Sequence, residues 1–139
     1  MRALMMAIYN LYTAGTPHNA LYTALYVSAA LPGFYLDMPP QAAPFPYCIF
    51  GLQACDFDPS MTDTEEPATV YFNAYTQENA GVAMDLVDKL TAVFDDAAVT
   101  VTGYSALYMT RDTIIPLHDL GDDTPVFGYA VHYDVLLET

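Results

Sequence analysis

The spacing of hydrophobic positions changes along the chain, and each change marks a new element. Ala3, Leu4, Ala7, Ile8, Leu11 and Tyr12 recur at helical spacing over Ala3–Ala14, and Gly15 and Pro17 supply a stop. Met5, Met6 and Tyr9 carry the apolar surface further round this helix, so one of its sides needs cover from something else. Thr16-Pro17 has the form of an N-cap followed by a proline at the first helical position. It predicts a second helix to about Ala30, ended by Leu31-Pro32-Gly33.

Phe34–Asp37 has the length of a short strand and runs into Pro39-Pro40 and a loop to Pro46. Tyr47–Leu52 (YCIFGL) is dense in aromatic and apolar residues, as strands are. Asp56, Asp58, Asp63, Glu65 and Glu66 then alternate with Pro59, Ser60, Thr62, Thr64 and Pro67, which predicts an exposed, flexible acidic loop over 55–67. Thr69–Tyr75 alternates strictly, with Val70, Phe72 and Ala74 on one face and Tyr71, Asn73 and Tyr75 on the other. Thr76 stands where a helix cap would stand. Val82, Ala83, Leu86, Leu90, Val93 and Phe94 form the next helical stripe, with Asp85, Asp88 and Lys89 opposite. Asp95-Asp96 ends that helix, because carboxylates oppose the dipole at a helix C-terminus.

Val99–Thr110 gives further strand signal, with Gly103 as a bulge or break. Asp119–Thr124 is a turn. Val126–Leu137 reads as the last strand: Phe127, Tyr129, Val131, Tyr133, Val135 and Leu137 share one face, and His132 and Asp134 lie on the other. Strands that lead directly into strands imply an α+β fold, a mainly antiparallel sheet of about four to five strands with helices packed on one face. At 139 residues the chain has the size of a single domain, 1–139.

Composition narrows what such a domain does. Hydrophobic residues make up 54% of the chain, which excludes general disorder. Tyr occurs 12 times and Trp never; Tyr combines a rigid apolar face with a polar tip and suits half-buried and interface positions. Against 17 acidic residues stand three basic ones, Arg2, Lys89 and Arg111, too few to neutralise DNA phosphates or to hold an anionic membrane. The acidity otherwise serves solubility or adaptation to high salt. Cys48 and Cys55 lack zinc-site spacing and are expected to be reduced, partly buried thiols. The N-terminal residues lack the basic start and cleavage pattern of a signal peptide, and no apolar run reaches the ~20 residues that cross a bilayer. The chain is therefore expected to be made in the cytoplasm.

No phosphate-cradling glycine loop, nucleophile elbow or metalloprotease helix is present. His132 and Asp134 stand two apart on one strand face and could form an oriented imidazole pair, but Cys48 and Cys55, the cysteine nucleophile candidates, have no partner motif. Asp119, Asp122 and Asp123 could bind Ca²⁺ only loosely, since they lack the ordering and the bidentate Glu of an EF-hand loop. The reading is of no catalytic, cofactor-binding or metal-binding residues, and of a protein that is no enzyme.

The order of these segments resembles the tail-terminator (tail-completion) proteins of long-tailed bacteriophages. An apolar N-terminal helical region (Leu4–Leu31) precedes a brief strand, a proline-bearing loop and a Pro46-Tyr47 strand ending at Gly51. After an acidic loop come a strand and helix over Tyr71–Asp96, a strand ending at Arg111, and a final Tyr-rich strand, GYAVHYDVLLE. The resemblance covers nearly the whole chain but departs from the pattern in the more helical segment Pro17–Ala30 and in the greater acidity. It implies a virion protein of the tail or neck: a homo-hexameric ring that sits on the tail tube protein, stops its polymerisation and joins the head through connector proteins. It brings no catalytic residues and no cofactor. Acidic residues lining such a ring would repel the phosphates of DNA passing through it, so the DNA would not bind. The alternatives are a head-completion or neck adaptor protein, and a small cytoplasmic binding module or hydrolase using His132 and Asp134.

Overall fold

The computed structural model describes residues 2–15, 17–55, 65–97, 101, 103, 106–121 and 124–138. The elements are α1 (Arg2–Thr13), α2 (Ala20–Leu25), β1 (Phe34–Leu36), β2 (Tyr47–Cys55), β3 (Glu65–Thr76), α3 (Ala80–Phe94), β4 (Ala106–Pro116) and β5 (Phe127–Glu138). The strands form one sheet in the order β1-β2-β3-β5-β4. β2, β3, β5 and β4 pair antiparallel, and β1 joins the edge parallel to β2, with Phe34 opposite Cys48. The architecture is α+β, with the helices on one face, as the periodicity predicts.

That covered face holds the core. Val70, Phe72 and Ala74 of β3 and Val131, Tyr133, Val135 and Leu137 of β5 are buried under Leu86, Leu90 and Phe94 of α3 and Leu4, Ile8 and Tyr12 of α1. Stacked rings tie the layers: Phe34 lies 4.5 Å from Tyr12 and 4.4 Å from Phe50, and Phe72 lies 4.5 Å from Phe94. Each such side chain contributes roughly 1.5–3 kcal/mol by leaving water.

Several boundaries differ from the expectation, each for a local reason. α2 begins at Ala20, capped by Asn19 rather than by Thr16, which lies outside the described residues. The Asn19 Oδ1 accepts from the Tyr22 N–H at 2.8 Å while its Nδ2 donates to the Tyr12 carbonyl at 2.9 Å. One side chain thus closes the end of α1 and the start of α2, which satisfies orphan groups of both helices. The helix stops at Leu25, short of Ala30, because the chain doubles back on it. Gly33 (φ 78°) sits so close to the Leu25 carbonyl that a Cβ there would collide with it.

α3 is capped by Asn79 Oδ1, which accepts from the Val82 N–H at 2.9 Å. Thr76 instead ends β3, with its Oγ1 accepting from Glu78 N–H. The buried stripe of α3 is Ala83, Leu86, Val87, Leu90, Thr91 and Phe94; Val82 and Val93 are only half-buried. Asp95 caps the helix C-terminus, where its charge opposes the dipole. Two partners offset this: the Tyr133 hydroxyl donates to Asp95 Oδ1 at 2.6 Å, and Arg111 lies 3.5 Å from Oδ2.

β4 continues past Arg111 to Pro116, with a register shift between Arg111 and Thr113 that leaves Asp112 unpaired. Of the expected Val99–Thr110 strand, Ala106–Thr110 lies in β4 and Gly103 (φ 93°) lies in a turn, while residues 99, 100, 102, 104 and 105 lie outside the described residues. The acidic loop is shorter than 55–67, since Cys55 ends β2 and Glu65–Pro67 pair with Leu136–Glu138 of β5. Residues 56–64 lie outside the described residues.

Candidate assembly surface

Strand alternation sends the other half of each strand to the uncovered face. β3 places Tyr71, Asn73 and Tyr75 there, with Tyr47 and Ile49 of β2 and His132 of β5 beside them, all half-buried. The tyrosines lie down rather than stand up. Tyr71 is the register partner of Gly51, and its hydroxyl reaches over that glycine to donate to Asp37 Oδ1 at 3.0 Å. A Cβ on Gly51 would meet the Asp37 carboxylate and come within 2.7 Å of the Tyr71 hydroxyl. Tyr75 covers Gly128 in the same way, where a Cβ would approach its Cδ1 to 2.6 Å. An aromatic ring laid over a glycine shields backbone that the missing side chain leaves open. Tyr75 continues to Tyr47 at 5.6 Å, and Tyr47 to Phe45 at 4.9 Å.

The tyrosines of this face are neutral, although Asp37 at the Tyr71 hydroxyl and the exposed Asp134 stand beside them. Burial first, and then the hydrogen bond to Asp37, pushes the Tyr71 hydroxyl up to about 12. Burial is also the main cause that raises Tyr47 and Tyr75. All three stay neutral near pH 7. Next to them is a hollow of about 340 Å³ that includes Asn73, Ile115, Leu117 and His132.

The residues considered for chemistry are scattered. His132 lies in the hollow, opposite Tyr71 on β3 and Thr113 on β4. Asp134 is exposed two positions along, opposite Thr69 and Thr110, and among the described residues no hydrogen bond joins it to His132. Cys48 is buried on the opposite, helix-covered face, and burial raises its thiol far from the thiolate that a nucleophile needs. The Cys55 side chain lies outside the described residues. Asp119 Oδ1 accepts from the Gly121 N–H at 3.3 Å and so closes its own turn; Asp122 and Asp123 lie outside the described residues. Among the described residues no group of three His, Cys, Asp or Glu is placed to hold a metal ion. No described helix is long and apolar enough to cross a membrane.

Sequence reasoning missed the Asp37–Tyr71 link and the structural part of His118. The His118 Nδ1 accepts from the Gly128 N–H at 3.2 Å, and its ring meets Tyr129 edge-on at 5.1 Å. The only signal for the first was a glycine in each of two strands otherwise dense in side chains.

The same fold occurs in a virion. The chain is similar over 99% of its length to 96% of a chain in the structure described as the virion of a native gene transfer agent (GTA) particle, with a TM-score of 0.73 and 13% identity. No family model and no curated protein matches the chain. At this identity the likeness is one of fold, and it extends from end to end of both chains.

Proposed function

We propose that this protein is a structural component of a phage-like virion, a ring of the tail-terminator type that caps the tail tube, stops its growth and offers the surface to which the head is joined. The observation that carries the reading is the end-to-end fold likeness to a chain of a gene transfer agent virion. The order of segments and the flat tyrosine face support it, since Tyr supplies rigid contact area with few torsions to fix. The ring is homo-hexameric, its neighbours are the tube protein below and connector proteins above, and its residues catalyse nothing. At a formal net charge of −14 per copy, the acids that line its channel repel passing DNA rather than bind it.

The test is made on particles assembled without the protein. Overlong or headless tails support termination and joining. Tails of normal length attached to heads would overturn it. Filled heads that lack tails altogether, with free tails of normal length, would move the protein to the neck as an adaptor.

A further inference from the structure

Large apolar side chains are exposed at both free edges of the sheet, β1 at one end and β4 at the other. At the β1 edge α1 overhangs a groove of about 520 Å³ whose lining includes Met5, Met6, Tyr9, Leu36 and Met38. Met6, Leu36 and Met38 are 54%, 50% and 79% exposed, far more than a monomer's core-side residues would be. Cys48 N–H donates to the Gly33 carbonyl and Asp37 N–H to the Phe50 carbonyl, both at 2.8 Å. These bonds turn residues 33, 35 and 37 toward β2, so alternation turns the backbone groups of Phe34 and Leu36 outward. Tyr35 also lines the groove; it is 9% exposed, and among the described residues its buried hydroxyl has no hydrogen-bond partner. Arg2, one of three basic residues in the chain, stands at the groove.

The β4 edge is only half open. Its Met109 carbonyl accepts from Asp96 N–H at 3.2 Å, so the end of α3 covers the first half. Among the described residues Thr113–Pro116 has no such cover, and Ile114 and Ile115 are each 41% exposed. Ile114 pairs with Val131 and so lies on the helix-covered side, while Ile115 pairs with Ala130 on the open side. Asp112, left unpaired by the register shift, is exposed beside them.

We infer that the Thr113–Pro116 edge of one copy seats on the β1 edge of the next copy, so that the sheets run on from subunit to subunit. This rests on the ring reading and names its contact. The two edges match in length, a four-residue open stretch against a three-residue strand. With helix sides aligned, Ile114 enters the groove beside Leu36, and Ile115 falls on the side of Tyr35. Arg2 meets Asp112, an opposite-charge contact that selects the register between copies that otherwise repel. Because the two edges differ, the contact is head-to-tail, the kind that closes rings rather than two-fold dimers.

The test uses Leu36→Asp and Ile114→Asp in the full chain, both at exposed positions, with far-UV circular dichroism to verify folding. In sedimentation at concentrations where the wild type forms rings, or on tube ends, each variant alone should self-associate at least tenfold more weakly. Mixed one to one they should form dimers and nothing larger, because one intact edge pair remains. A mixture of Leu36→Cys and Ile114→Cys copies should likewise yield a disulfide-linked dimer that neither yields alone. Variants that assemble like the wild type, or a mixture that gives no dimer, would overturn the edge contact while wild-type rings left the ring reading standing. A wild type that forms no ring in solution or on tube ends would overturn both.

Discussion

The two faces of β3 make the sharpest contrast in the molecule, since neighbouring residues of one strand meet different demands. Phe72 points under the helices, has no exposed surface, and stacks on Phe94. Tyr71 points the other way, lies over Gly51 and keeps its hydroxyl on Asp37 near solvent. The covered face holds the fold, and the open face carries tyrosines laid flat, with Asp37 and Asp134 beside them. Phe72→Ala should therefore cost about 3–5 kcal/mol, the range for an emptied aromatic site in a core. Tyr71→Ala should cost no more than about 1–2 kcal/mol. Urea unfolding of both variants decides it: equal losses would mean that the open face is as much a part of the core as the covered one.

The link between α3 and the sheet tests how far the covered face depends on polar ties. Tyr133 is fully buried, and burial, together with its hydrogen bond to Asp95, keeps the hydroxyl protonated well above the usual tyrosine range. Tyr133→Phe keeps the ring and removes the donor, leaving the Asp95 carboxylate to Arg111 and the opposing helix dipole. The expected loss is about 1.5–3 kcal/mol, as for hydrogen bonds to charged groups. A loss within about 0.5 kcal/mol, typical of surface changes, would show that apolar packing alone positions α3.

The open face has its own polar tie, and it is sensitive to alkali. The Tyr71 hydroxyl titrates near 12 in the folded chain against an ordinary 10.0. Because the folded value is the higher one, the stability that this group contributes is complete below pH 10 and is lost as pH rises from there through 12. Tyr71→Phe should accordingly lose less stability than the wild type across that window, and about the same below it. Parallel alkaline profiles of the two proteins would remove Asp37 and the burial of Tyr71 as causes.

The contrast between faces was legible because period-two alternation in Thr69–Tyr75 and Val126–Leu137 places Val70, Phe72, Val131 and Tyr133 together without further information. The helical stripe of α3 was legible for the same reason, although Val87 and Thr91 joined it and Val82 and Val93 moved to its margin. What remained hidden depends on distant partners. Asn19 caps α2 and Asn79, rather than Thr76, caps α3 because of where the chain turns, and β4 runs past Arg111 because β5 supplies partners as far as Tyr129. The parallel placement of β1, which opens the groove beside α1, left no mark in a three-residue strand.

The smallest expected effect belongs to His132, whose place two positions from Asp134 gives it the form of an oriented imidazole. His132 is half-buried in the hollow between β3 and β4, with Tyr71 and Thr113 as register partners. Among the described residues its imidazole makes no hydrogen bond to Asp134, and the buried Cys48 thiol lies on the other side of the sheet. We propose that the imidazole serves as contact surface rather than as a general base, since among the described residues no carboxylate hydrogen-bonds to it. His132→Ala should then change stability by no more than about 0.5 kcal/mol and leave assembly and particle yield near wild type. Unfolding curves and particle counts on the same variant supply both readings. Loss of function from rings that still form normally would bring the hydrolase alternative back, because a structural side chain on this face could not act without disturbing assembly.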